Sequence, residues 1–207
     1  MEKSKEKEEI NLKILLVGDS GVGKTSFLIR YVNDEFPDKH ITTVAIDHLS
    51  KVFKFRGFKV QLHIWDTAGQ ERYRSIVKNF FHNTDGILFL YDITSQKSFT
   101  GVKAWIKESE HIDNSFKKVL IGNKCDLNYQ KNVSEEEVKK YCEENKIDHF
   151  EASAKNDINI KEAFEKMIEI IFKGKSDEEI INLYGSKKEK VSYLSNKKKV
   201  KKDMKCC

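Results

Sequence analysis

Apolar positions in this chain fall into short dense runs separated by polar stretches. Asn11–Val17 (NLKILLV) is the first run, and it stops at a glycine-rich loop. A run of that length bounded by turn residues reads as a buried strand. Lys24–Asn33 follows, with Phe27, Leu28, Tyr31 and Val32 at helical spacing. Phe36 to Ile46 has no periodicity and contains the only proline, Pro37, so it reads as a loop. Asp47–Arg56 and Phe58–Trp65 read as two strands joined at Gly57, and so short a connection favours antiparallel pairing. Gly86–Asp92 (GILFLYD), Lys118–Gly122 and Asp148–Ala152 read as three more strands. Helical patterns lie between them at Ser95–Asp113, Glu135–Asn145 and Asn159–Lys173, and Ser134 with Glu137 has the form of a capping box. Alternation of strand and helix predicts an α/β fold with a mostly parallel sheet. After Lys173 the pattern decays into Lys, Ser and Asn, which places the domain boundary near 175.

Composition narrows the class. The chain has 207 residues, 39% hydrophobic and 34% charged, which suits one globular domain with a tail. Four cysteines without a Cys-x-x-Cys pair argue against a disulfide framework and a zinc ribbon. No apolar run approaches the ~18 residues of a membrane span. Met1–Glu9 has no apolar core and position 2 is Glu, so neither a signal peptide nor myristoylation is expected, and a reducing cytosol is the simplest compartment. The net charge of +5 resides wholly in residues 175–207, leaving the body neutral. A basic tail suits nucleic acid or an anionic membrane, and composition does not choose between them.

Gly18-Asp19-Ser20-Gly21-Val22-Gly23-Lys24-Thr25 matches G-x-x-x-x-G-K-[ST] between a strand and a helix. Backbone N–H groups of Ser20, Gly21, Val22 and Gly23 can wrap a phosphate, helped by the helix N-terminus that continues through Ser26. Lys24 can reach the outer phosphates and the Thr25 hydroxyl can ligate Mg²⁺. The loop alone leaves ATP and GTP undecided. Asn123-Lys124-Cys125-Asp126 decides the base. A carboxylate at Asp126 accepts from the guanine N1–H and N2–H₂, whereas adenine presents an acceptor there and leaves it unpaired. Asn123 can tie this loop to the glycine loop, the Lys124 stem can lie along the base, and backbone N–H groups of Ser153-Ala154-Lys155 can meet guanine O6. Asp66-Thr67-Ala68-Gly69-Gln70-Glu71 ends the third strand. Asp66 is placed to hold Mg²⁺ through water, Gly69 to offer its N–H to a γ-phosphate, and Gln70 to orient the attacking water.

With these residues in place, the chain resembles a Ras-superfamily small GTPase, and within it a Rab. GDSGVGKT, WDTAGQERYRSI, LYDIT, NKCDL and EASAK carry the resemblance over about residues 10–175. It implies a P-loop G domain: a six-stranded mostly parallel sheet with one antiparallel strand, flanked by about five helices. It also implies a flexible N-terminus (1–9) and a flexible basic hypervariable tail (176–207). By resemblance, Thr43 joins Mg²⁺ when GTP is bound, Phe36 stacks on guanine, and switches I and II run from about 36 to 47 and 66 to 81. Cys206-Cys207 resembles a Rab double-prenylation signal, which implies an escort protein, a GDP-dissociation inhibitor and the cytoplasmic face of an intracellular membrane. An exchange factor, a GTPase-activating protein and effectors are implied as well, and nucleic acid is not an expected partner. Asp34–Thr43 holds no arginine, so intrinsic hydrolysis is expected to be slow.

Two positions depart from the Rab pattern. Ala45 stands where those proteins carry glycine, and His48 stands where they carry an aromatic. The family's effector-reading aromatic patch would here be His48, Trp65 and Phe80. Two readings of His48 stand: a solvated residue without special role, or an altered effector set open to pH through imidazole titration.

Overall fold

The computed structural model describes residues 8–37, 46–67, 69 and 74–185. Six strands form one sheet: β1 (Glu9–Val17), β2 (Ile46–Phe55), β3 (Phe58–Thr67), β4 (Gly86–Asp92), β5 (Lys117–Asn123) and β6 (Asp148–Ala152). Their order is β2-β3-β1-β4-β5-β6. Only β2 and β3 pair antiparallel, through a turn at Arg56–Gly57, and every other pair is parallel. This is the expected α/β class.

Burial follows position in the sheet. β4 lies near the middle and all seven of its residues are buried, as a strand covered on both faces requires. β2 lies at an edge and none of its residues is fully buried. Successive β1 side chains point to opposite faces. Ile10, Leu12, Ile14 and Leu16 join one core, and Leu15 and Val17 join the other. The first core is closed by α1 (Lys24–Asn33) and α5 (Ile160–Phe172), the second by α2 (Arg74–Phe81) and α3 (Gln96–Ile112). α5 contributes Ile160, Phe164, Met167, Ile168 and Ile171, a stripe at helical spacing. β1 sits between β3 and β4, so the chain leaves its C-terminal end toward one side of the sheet and later returns on the other. Open α/β sheets bind ligands at that switch point.

Two local expectations are corrected. Ser134 makes no side-chain cap on α4 (Glu135–Asn145). Glu137 instead receives Lys103 at 2.6 Å and Gln96 at 2.8 Å, because an α3 cation and amide lie within reach of its carboxylate. The capping box lies at Ser176 and Glu179, where both reciprocal bonds form. It opens α6 (Asp177–Tyr184), a helix inside the stretch read as flexible tail. α6 is held because Ile180 is fully buried, Tyr184 packs against Phe172 at 5.9 Å, and Gly185 bridges to Ile10 on β1. With α6 the described residues hold six α-helices, and a 3₁₀ turn spans Cys125–Gln130. One of the six, α2, falls inside the range expected to be switch II.

Candidate functional site

β1 delivers the glycine loop to the switch point, and α1 begins at Lys24. The Lys24 ammonium is buried and donates to the Gly18 and Asp19 carbonyls, each at 2.9 Å. Burial pushes its pKa down to about 8, against the pull of the Asp66 and Asp19 carboxylates. An ammonium has three protons and these carbonyls take two, so an anion placed in the loop finds a charged donor. Thr25 Oγ1 donates to Asp66 Oδ2, and Asp66 is fully buried near the end of β3. A hydroxyl and a carboxylate brought together from two elements form a hard oxygen pair suited to Mg²⁺. Gly69 lies directly against the loop: a Cβ there would stand 2.3 Å from the Asp19 carbonyl carbon and 2.4 Å from the Ser20 nitrogen. Only glycine permits that approach.

The Asn123–Asp126 segment begins at the end of β5. Asn123 is 1% exposed and its Nδ2 donates to the Val22 carbonyl at 2.8 Å. Its Oδ1 is buried without a hydrogen-bond partner among the described residues, an acceptor left for a ligand to meet. Gly23 has φ 94°, and a Cβ on it would stand 2.5 Å from Asn123 Nδ2. Lys124 donates to the Gly21 carbonyl at 2.8 Å and pairs with Asp92 at 2.6 Å. Burial pushes the Asp92 carboxyl up, but hydrogen bonds from Lys124 and Thr94 hold it below the ordinary carboxylate value. Asp126 Oδ1 accepts from Ser153 Oγ at 2.6 Å, which orients the carboxylate toward the β6 loop. The structure thus brings together Gly21, Val22, Gly23, Lys24, Thr25, Asp66, Gly69, Asn123, Lys124, Asp126 and Ser153. Ser20 is exposed at the loop tip, Ser26 lies in the first turn of α1, and Phe36 is 39% exposed beyond its end.

Sequence reasoning missed three supports. Arg30 donates to the Ala154 carbonyl at 2.9 Å and the Asp34 carbonyl at 2.8 Å, and reaches Lys155 O at 3.5 Å. It clamps the β6 loop to the end of α1. Trp105 Nε1 donates to Asp19 Oδ1 at 3.0 Å, and Asp92 holds Lys124. No motif announces the Arg30–Ala154, Trp105–Asp19 and Asp92–Lys124 contacts, because each joins residues far apart in the chain. Only the LYDIT segment carried a signal, through Asp92.

A second surface gathers rings. His48 on β2 lies 4.5 Å from Trp65 on β3, and Trp65 lies 5.3 Å from Phe80 on α2. The row continues to His63, which the sequence reading did not single out: its Nδ1 is 3.4 Å from His48 Nε2. Burial holds both imidazoles below their ordinary value; for His48 the Asp47 carboxylate works against it, and for His63 the His48 ring adds to it. Cys125 and Cys142 are free thiols, and burial pushes Cys142 up to about 11, which keeps it a thiol at neutral pH. Thr43, Ala45, Gln70, Cys206 and Cys207 lie outside the described residues. No helix among those described is long and apolar enough to cross a membrane.

Comparison with known proteins bears on this arrangement. Residues 13–173 match the model of the Ras family. The GTP-binding protein ypt2 of Schizosaccharomyces pombe is 41% identical over 197 residues, which cover 95% of this chain and 96% of that protein. The Ras-related protein Rab-15 of Rattus norvegicus is 38% identical, covering 79% and 77%. The Ras-related protein Rab-8B of Bos taurus is 44% identical, covering 73% and 74%.

Proposed function

Because this chain belongs to the Ras family of small GTPases, as a Rab-type member, we propose that it is a guanine-nucleotide switch of intracellular vesicle traffic. It binds GTP and GDP, hydrolyses GTP slowly on its own, and recruits effectors to a membrane while GTP is bound. The observation that carries this reading is the pair of hydrogen bonds from Asn123 and Lys124 to the Val22 and Gly21 carbonyls, 2.8 Å each. They make the base-reading loop and the phosphate loop one rigid unit.

Within that unit each residue has a task. Lys24 and the loop N–H groups hold the phosphates, and Asp126 reads guanine. Thr25 and Asp66, with Thr43, would hold Mg²⁺, which neutralises charge on the β- and γ-oxygens when bound. Gln70 orients the water, and Gly69 meets the γ-phosphate side. Thr43 and Gly69 hold the two switches in order until the γ-phosphate leaves. An activating protein raises the rate, an exchange factor reloads the site, and a GDP-dissociation inhibitor and an escort protein handle the lipidated chain. Two lipids on Cys206 and Cys207 would anchor it stably where one would not, aided by nine lysines within 187–205. The protein would cycle between cytosol and the cytoplasmic face of its membrane.

Single-turnover phosphate release from the Mg²⁺·GTP-loaded chain tests this. Release on the order of 10⁻⁴ s⁻¹, slower again in Gln70→Leu, is expected. Release indistinguishable from protein-free GTP contradicts it.

A further inference from the structure

His48 and His63 stand on the face of the sheet opposite the α1 and α5 core. In the β2–β3 register His48 faces Trp65 and Ser50 faces His63, so the two histidines are diagonal neighbours on one face. On the far side of β3, Lys13 faces His63 and Asn11 faces Gln61, so Asn11 is diagonal to His63 in turn. Asn11, His63 and His48 therefore form a line across three adjacent strands. His63 Nε2 meets Asn11 Oδ1 at 3.2 Å. An amide oxygen only accepts, so His63 Nε2 carries the proton and its Nδ1 presents a lone pair toward His48.

The facing nitrogens, His63 Nδ1 and His48 Nε2, are 3.4 Å apart, while the ring centres are 5.5 Å apart. The ring planes are nearly parallel, 12° apart, and those two nitrogens approach each other. Two imidazole nitrogens on one tetrahedral zinc, each at about 2.0–2.1 Å, are separated by about 3.3–3.4 Å. The spacing is that of two ligands awaiting an ion, and it is long for an N–H···N bond. The geometry points to an open site for a borderline divalent transition metal, zinc foremost, held by His48 Nε2 and His63 Nδ1 and oriented by Asn11. An imidazole whose second nitrogen donates to an oxygen is the usual form of a metal-bound histidine. The Asp47 carboxylate beside His48 adds favourable charge. No third His, Cys, Asp or Glu among the described residues completes the set, so water or a group from a docked molecule takes the remaining positions. His48 is exposed, which leaves those positions accessible. The site is separate from the Thr25–Asp66 pair, whose oxygens suit Mg²⁺ instead.

Zinc uptake measured against a chromogenic zinc indicator tests the assignment. The full chain is used, loaded with Mg²⁺·GDP, with Cys206→Ser and Cys207→Ser in every arm so that terminal thiols do not contribute. One zinc per chain at micromolar affinity is expected. His48→Phe and His63→Phe should each abolish it, and Asn11→Leu should weaken it ~10–100-fold. GDP retention reports that each variant is folded. No uptake by the parent, or unchanged uptake in either histidine variant, overturns the assignment. Because neither hydrolysis nor an effector enters the measurement, its outcome is independent of the proposed switch cycle.

Discussion

Asn123 Nδ2 donates to the Val22 carbonyl at 2.8 Å, joining residues 101 positions apart at the bottom of the candidate nucleotide site. Asn123→Ala removes a buried donor and leaves a buried carbonyl unpaired. Such a loss costs about 1–3 kcal/mol. GDP affinity should therefore fall roughly 10–100-fold. Equilibrium titration with a fluorescent GDP analogue checks this, and unchanged affinity would mean that the bond does not couple the two loops.

Two half-buried groups give stability opposite dependences on pH. Burial pushes His149 down to about 4 from 6.5, and its Nε2 lies 3.1 Å from the Tyr91 hydroxyl. Its stabilisation is present above 6.5 and is lost as pH falls through about 4, because the unfolded chain takes up the proton first. Burial pushes Asp85 up to about 6 from 3.8, against the Lys13 N–H and charge. Its contribution is present below 3.8 and is lost as pH rises through about 6. Each is worth about 3 kcal/mol at most, so the two nearly cancel between them. Compared with the parent, His149→Gln should lose stability as pH rises from 4 to 6, and Asp85→Asn should gain it. Urea unfolding at three pH values across that window reads both slopes. Parallel slopes in all three proteins would show that neither group titrates as described.

α6 belongs to the folded body. Ile180→Ala should cost about 2–5 kcal/mol through the cavity it leaves. Ser176→Ala should cost about 1 kcal/mol through the lost cap. Leu183, 63% exposed, should tolerate alanine with almost no change. A chain cut after 175 should have a lower urea midpoint than one cut after 185. Equal midpoints would return the boundary to where the apolar pattern fades.

The contrast between α5 and α6 shows what a sequence reveals. α5 repeats large apolar residues over 13 positions, so its period is plain. α6 has eight residues and is anchored chiefly by Ile180, too little for a periodic pattern. The buried runs of β1 and β4 declared themselves because a central strand is apolar on both faces. At the site, contiguous motifs exposed Lys24, Thr25, Asp66, Asn123 and Asp126. Arg30 and Trp105 stayed hidden because their roles depend on tertiary proximity, to Ala154 and Asp19. The two candidate capping boxes make the same point. Ser134–Glu137 and Ser176–Glu179 share a spacing, and the nearby Lys103 ammonium diverts the first.

Selection of the base is the claim on which the switch reading stands. Ser153 holds one Asp126 oxygen at 2.6 Å and fixes the direction of the carboxylate. The direct measurement is displacement of labelled GDP from the Mg²⁺-loaded chain by GTP and by ATP in parallel. A carboxylate left mispaired against the base costs several kcal/mol, so GTP should displace at concentrations about a thousandfold lower than ATP. Equal displacement by the two nucleotides would contradict the account.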